Sequence, residues 1–157
     1  MSRASSLPVN PPGVSVEIGK SQVLRPGSDV AILAIGTMVG RSMLAAEELA
    51  EENIQARVIN MSSFKPLDND LVLQAAEQTG AIVTAEEHTI LGGLGGAVAE
   101  LLGECCPTRM VRVGIADVFA RTSPDPESLM DAYGLGVSDI VSAVKRVLNE
   151  RMPAAAA

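Results

Sequence analysis

The stretch over residues 81–96, Ala-Ile-Val-Thr-Ala-Glu-Glu-His-Thr-Ile-Leu-Gly-Gly-Leu-Gly-Gly, constrains the fold of this chain more than any other segment. It opens as an apolar, β-branched run that reads as a buried strand. It passes through an acidic pair and the only histidine of the protein, then reaches four glycines within five positions. An apolar pattern of helical spacing follows at once. Strand, polar loop, glycine-rich turn and helix N-terminus is the order in which α/β proteins build binding crevices.

The same alternation of strand and helix runs through the rest of the chain. Residues 30–35 form an apolar strand closed by Gly36, and Thr37 is placed to cap a helix reaching Glu52. Val39, Met43, Ala46 and Ala50 are expected to face the sheet, with Glu47, Glu48, Glu51 and Glu52 in solvent. Asn53 followed by Ile54 matches a left-handed C-cap with its trailing apolar contact. Residues 56–61 are the next strand. Phe64-Lys65-Pro66-Leu67 is a connection, and Asp68 caps a helix that runs to Thr79 and stops at Gly80. After the glycines, Leu94, Val98, Leu101, Leu102 and Cys105 share one helical stripe, and residues 110–115 form a further strand. Asp125 and Pro126 read as a cap and first-turn proline for a short helix ending at Gly134. Ser138 is expected to cap the last helix, in which Ile140, Val144 and Leu148 recur every four residues and Lys145, Arg146 and Arg151 sit near the C-terminal end. Residues 16–24 alternate only weakly before Arg25-Pro26-Gly27 and read as a short strand or hairpin. Strands separated by helices of this length pair in parallel through right-handed crossovers. The expectation is one three-layer α/β/α domain over residues 16–151, with a disordered leader or linker remnant at 1–15 and a frayed tail at 152–157.

Composition narrows the function. Aromatic residues are 2% of the chain and Trp is absent, so Ala, Val, Ile, Leu and Met must fill the core. Twelve basic residues against 19 acidic ones give a net charge of −7, which argues against nucleic acid and against an anionic membrane surface as partners. No apolar run approaches the roughly 20 residues that cross a bilayer, and no secretory signal is visible. Cys105 and Cys106 are adjacent and cannot staple distant segments, which points to a reduced, cytoplasmic setting.

Gly92, Gly93, Gly95 and Gly96 let backbone approach a ligand, and the helix behind them offers free N–H groups, a candidate anion cradle. A dinucleotide fingerprint counted from Gly93 would need its third glycine at Val98, and no Gly-Lys-Ser/Thr follows for a phosphate-binding loop of the Walker type. Close packing of helix on strand, or of one subunit on another, is the weightier reading of these glycines. Glu86, Glu87 and His88 could form an acid–base pair or part of a metal set. A metal needs a further ligand, and Cys105 and Cys106 stand at no recognised spacing and read as packing residues. A histidine beside glutamate is more often a structural or interface residue. Asp117 could meet a ribose hydroxyl or cap a turn, and Arg121 and Ser123 could touch an anion. No catalytic, cofactor-binding or metal residue is assigned.

Several motifs in order carry a resemblance. Glu17-Ile-Gly-Lys-Ser-Gln-Val-Leu-Arg-Pro-Gly-Ser-Asp-Val, Ala56-Arg-Val-Ile-Asn-Met with Phe64-Lys-Pro-Leu-Asp, Ile82-Val-Thr-Ala-Glu-Glu-His with Gly92-Gly-Leu-Gly, and Tyr133-Gly-Leu together resemble the C-terminal domain of the transketolase family. Related domains occur in 1-deoxyxylulose-5-phosphate synthase and in decarboxylating subunits of 2-oxoacid dehydrogenases. The resemblance implies a five-stranded mixed sheet whose first strand is antiparallel to the other four. It also implies membership of an assembly that uses thiamine diphosphate and Mg²⁺ to move a two-carbon ketol unit between sugar phosphates, as in the pentose phosphate reactions. In that family the cofactor lies between a pyrophosphate-binding and a pyrimidine-binding domain. The Gly-Asp-Gly…Asn motif of the first occurs nowhere here, and Glu86 and Glu87 match the C-terminal domain's own motif rather than the glutamate of the second. Where the family reads Val-Phe-Gly and a Ser-Gly step, this chain has Val118-Phe-Ala-Arg-Thr-Ser-Pro-Asp-Pro, in which Ala120 and the prolines restrict the loop. The resemblance therefore implies an assembly role, in a C-terminal domain or separately encoded piece that partners the two missing domains and forms a homo-oligomer, with no cofactor bound by this chain alone. The alternatives are a stand-alone anion- or nucleotide-binding regulatory module and the equivalent domain of a 2-oxoacid dehydrogenase.

Overall fold

A computed structural model of the chain describes residues 17–118 and 126–149. The elements, in order, are β1 (Gln22–Arg25), β2 (Val30–Ala34), α1 (Met38–Glu51), β3 (Ala56–Asn60), α2 (Asn69–Thr79), β4 (Ala81–Thr89), α3 (Leu94–Cys105), β5 (Arg109–Ile115), α4 (Pro126–Ala132) and α5 (Val137–Asn149). The five strands form one sheet in the order β1-β3-β2-β4-β5. β1 runs antiparallel to β3, and the remaining neighbours are parallel. This is the mixed sheet expected from the resemblance, and the weak element at its start is a single strand on the sheet edge.

Two packed layers follow from the strand period of two. Val30, Ile32 and Ala34 of β2 point into one core, which α1, α4 and α5 close, while Ala31 and Leu33 point into the other, closed by α2 and α3. All five residues of β2 are fully buried. A right-handed crossover from β2 toward β3 puts α1 on one face. The return from β3 past β2 to β4, and on to β5, puts α2 and α3 on the other. The direction of travel reverses between β2 and β4. That is the switch point of the sheet.

Most caps behave as their residue types dictate. Asn53 adopts a positive φ of 62°. Ile54 N–H donates to the Leu49 carbonyl and Asn53 N–H to that of Ala50, each at 3.0 Å, which is the Schellman pattern. Gly80 ends α2 at φ 65°. Asp68 caps α2 through Leu71 N–H at 3.4 Å and also accepts from Ser21 N–H at 2.7 Å, so one buried side chain fixes both a helix start and the edge strand.

Four expectations need correction. The buried stripe of α1 is centred on Met38, Ser42, Ala45 and Leu49, with Val39 and Ala46 beside it, so Met43 and Ala50 are only half-buried. Cys105 is exposed and lies off the α3 stripe, whereas Cys106 packs against the second core. The last helix begins one residue before Ser138, because Asp139 Oδ2 reaches back to Gly136 N–H at 2.9 Å and supplies the cap from inside the helix. Thr37 stands at the cap position of α1 without capping it, for the reason given below. Asp125, the loop at 119–125 and the terminal segments 1–15 and 152–157 lie outside the described residues.

The turn from β1 to β2 passes so close to β3 that a Cβ on Gly27 would lie 2.4 Å from the Ala56 carbonyl carbon and 2.4 Å from Arg57 N. Backbone cannot yield as a side chain can. Gly27→Ala is therefore expected to lower stability by about 3 kcal/mol in urea titration. Gly103→Ala, on α3 with nothing within 4 Å, is expected to raise it by about 0.5–1 kcal/mol in the same assay.

Candidate functional site

β4 outruns its neighbour β2, and the residues beyond Ala85 are the acidic pair and the histidine. Between Ala85 and Thr89 the strand takes four steps while β5 takes two, from Val113 to Ile115. This bulge re-aims the side chains at the carboxyl edge. Gly114 on β5 makes room for it, since a Cβ there would come within 3.0 Å of the His88 carbonyl oxygen.

Glu86 is 2% exposed and turns toward α3. Its Oε2 accepts from Leu94 N–H and its Oε1 from Gly95 N–H, both at 2.8 Å. Two of the N–H groups left without intrahelical partners in the first turn of α3 are thus held by a carboxylate from the preceding strand, in the field of the helix dipole. The glycines divide the task. Gly92 makes the turn at φ 74°. A Cβ on Gly93 would sit 2.0 Å from Glu86 Oε2, so only glycine leaves space for the carboxylate. A Cβ on Gly95 would meet Thr84 Oγ1 at 2.9 Å and Arg112 Cδ at 2.8 Å, so this residue sets how closely α3 approaches the sheet. Gly96 has nothing within 4 Å and faces open space.

Glu87 points the other way, across the switch point. Thr37 Oγ1 donates to Glu87 Oε2 at 2.7 Å, tying the start of α1 to the end of β4. Thr37 does not cap its own helix because its backbone is already right-handed helical, at φ −61° and ψ −25°, where a cap residue is extended. His88 is exposed, and its Nδ1 lies 3.2 Å from the neighbouring Thr89 carbonyl oxygen. The structure thus brings Glu86 and Gly93 together, leaves His88 apart from both carboxylates, and puts Cys105 and Cys106 at the far end of α3. Asp117 is exposed, and Arg121 and Ser123 lie outside the described residues. A shallow concavity of about 290 Å³ lies between β5 and α5, with Arg112 and Gly114 in its lining.

Sequence reasoning missed Arg112 and the contact of Thr37 with Glu87. The Arg112 guanidinium donates to the Ile90 carbonyl at 2.9 Å and pins the loop after β4. Its signal was present, as a cation in the middle of the apolar run over residues 110–115. A pyrophosphate-bearing cofactor with its metal needs free backbone donors and a cluster of oxygen ligands. The donors of Leu94 and Gly95 are taken by Glu86, and among the described residues no three His, Cys, Asp or Glu side chains converge to hold a metal ion. The residues present here do not fit that group.

The family model described as the C-terminal domain of transketolase matches residues 19–140. The chain belongs to this family. A 6-deoxy-6-sulfo-D-fructose transketolase subunit, SqwH, of Clostridium sp. (strain MSTE9) is 46% identical over 134 residues, covering 85% of this chain and 41% of the relative. The 1-deoxy-D-xylulose-5-phosphate synthase 1 of Geobacter sulfurreducens is 44% identical over 135 residues, covering 85% of this chain and 21% of that protein. A solved structure described as a split gene transketolase, inactive beta4 tetramer, superposes with a TM-score of 0.91 at 43% identity, covering 96% of this chain and 49% of the other. The chain thus spans about half or less of the length of these relatives.

The carboxylate cradle makes a specific prediction. Glu86→Ala leaves two helix donors without partners and is expected to cost about 2–3 kcal/mol of unfolding free energy. Gly93→Ala is expected to destabilise the parent by about as much, and to cost at least about 1 kcal/mol less in the Glu86→Ala background. A denaturant double-mutant cycle reads the difference, and strict additivity would show that the two residues do not share this space.

Proposed function

We propose that this chain is the C-terminal, assembly-bearing part of a transketolase-like thiamine-diphosphate enzyme, which moves a two-carbon ketol unit between sugar phosphates in the cytoplasm. Its partners in this reading are the pyrophosphate- and pyrimidine-binding domains, on the same or a separate chain, within a homo-oligomer. The cofactor and Mg²⁺ belong to the complete assembly. Glu86, Glu87, His88 and the glycines Gly92, Gly93, Gly95 and Gly96 serve packing and subunit contact.

One observation carries the reading: Glu86 of the most identifying motif is buried against the chain's own α3, and the exposed Glu87 is bonded to Thr37 at the start of α1. The relatives add support. Their names place them among transketolases and deoxyxylulose-phosphate synthases, which favours that class over the 2-oxoacid dehydrogenases. The rival reading, a free-standing anion or nucleotide module, draws no support from α3, whose first-turn donors at Leu94 and Gly95 are already occupied. No helix among the described residues is long and apolar enough to cross a membrane.

Calorimetric titration of the purified chain with thiamine diphosphate and Mg²⁺ is expected to give no binding heat and no change in melting temperature. Ketol transfer from a ketose phosphate to an aldose phosphate is expected only when a polypeptide bearing the Gly-Asp-Gly…Asn motif is added. Tight one-to-one binding of the cofactor by this chain alone would overturn the proposal.

A further inference from the structure

Six large apolar side chains are exposed among the described residues: Ile18, Val23, Leu44, Phe64, Leu91 and Val118. Single exposed apolar residues are ordinary, but several gathered at one edge of a sheet are not. The topology brings four of the six to one edge. Phe64 follows the carboxyl end of β3, Leu91 that of β4 and Val118 that of β5. Ile18 precedes β1, which runs the other way, and Gln22 at the start of β1 pairs with Asn60 at the end of β3. In sheet order the four residues therefore form a row from β1 to β5. At about 4.8 Å per strand the row crosses roughly 19 Å. Glu87 and His88, both exposed, stand at the end of β4 just before Leu91.

The row is held in place. Gly19 N–H donates to Ser63 Oγ at 3.0 Å, and Ser63 Oγ donates to the Pro66 carbonyl at 2.9 Å, tying Ile18 to the Phe64 loop. Ser21 N–H on Asp68 fixes the same corner. Arg112 holds the Ile90 carbonyl beside Leu91, and Val118 N–H donates to the Ala116 carbonyl at 2.7 Å. An apolar surface fixed in advance loses little conformational entropy when it is covered, which suits a binding face.

We propose that this row is the seat of the domain that precedes this one in the longer relatives. The inference rests on the assembly reading above and names the surface that performs it. Two observations select the occupant. The family is by its description a C-terminal domain, and its relatives are two or more times longer than the region they share with this chain. In such proteins the preceding chain joins at the segment corresponding to the start of β1, and here that segment, Glu17 and Ile18, lies in the row itself. A domain tethered at that point is held beside Phe64 and within reach of Leu91. Its matching face is apolar, with a hydrogen-bond donor or cation opposite the Glu87 carboxylate.

The test uses the full chain, co-expressed as its own polypeptide with the pyrophosphate- and pyrimidine-binding domains of the same source organism, on whichever frame they are encoded. Phe64→Ser with Leu91→Ser is expected to weaken the complex about 30-fold, the usual loss on truncating an interface anchor. Val118→Asp is the independent variant at the other end of the row and is expected to weaken it as well. Leu44→Ser and Val23→Ser, exposed apolar residues off the row, are expected to bind as the parent does. Every variant is checked for an unchanged melting curve. A complex that forms and tolerates all row variants overturns this inference and leaves the assembly reading standing. Failure of the parent chain to form any complex overturns the assembly reading and this inference with it. If the row variants instead abolish self-association in sedimentation while the complex survives, the occupant is a second copy and the proposal is wrong.

Discussion

A sheet that is dry on both faces is the constraint from which the rest of this molecule follows. β2 is fully buried along its length, so neither face of the sheet centre can be left to water. At about 25 cal/mol per Å² of apolar surface removed from solvent, exposing either face would cost more than a domain of this size can spare. Two helical layers are therefore required, and parallel pairing requires that the connections themselves supply them. Because each crossover is right-handed, helices on opposite faces demand that the chain reverse its direction across the sheet. The reversal lies between β2 and β4. The loops after those two strands are then neighbours whatever their sequences, and that is where Thr37 meets Glu87.

In many α/β folds a phosphate or nucleotide occupies such an edge, at the N-terminus of a helix. Here the ligand of the α3 N-terminus is the carboxylate of Glu86. A tethered group meets its site at a high effective concentration, so a free anion competes for the same donors at a disadvantage. The glycines that look like ligand space are largely space for this carboxylate and for the approach of α3 to Thr84 and Arg112. Thr84 Oγ1 is buried there without a hydrogen-bond partner. What the edge still offers to the outside is apolar surface with Glu87 and His88 at the end of β4, a composition suited to another protein surface more than to a sugar phosphate.

Local chemistry was readable where a residue's own backbone preference decides the matter. Asn53, Gly80 and Asp68 do what their types do at helix ends, because the relevant forces act within a few residues. Reading failed where a competing partner came from elsewhere. Thr37 has the chemistry of a cap, yet its backbone is helical and its hydroxyl donates to a glutamate 50 residues away. Ser138 was displaced by Asp139, which reaches back from the first turn of α5. The α1 stripe was misjudged by about one position because both neighbouring apolar rows fit the helical period, and only contact with the sheet and α5 selects between them.

The sequence alone determined the order of elements, the burial of the strands on both faces and, through its spaced motifs, the family resemblance. These depend on periodicity and composition, which are properties of the chain read locally. Where the side chains of residues 81–96 point was decided only by tertiary structure. The same Glu-Glu-His and glycine pattern could hold an anion or exclude one, depending on where two carboxylates point. A strand bulge of two residues and the packing distance between α3 and the sheet aim Glu86 inward, and both arise from contacts between segments that no local reading brings together.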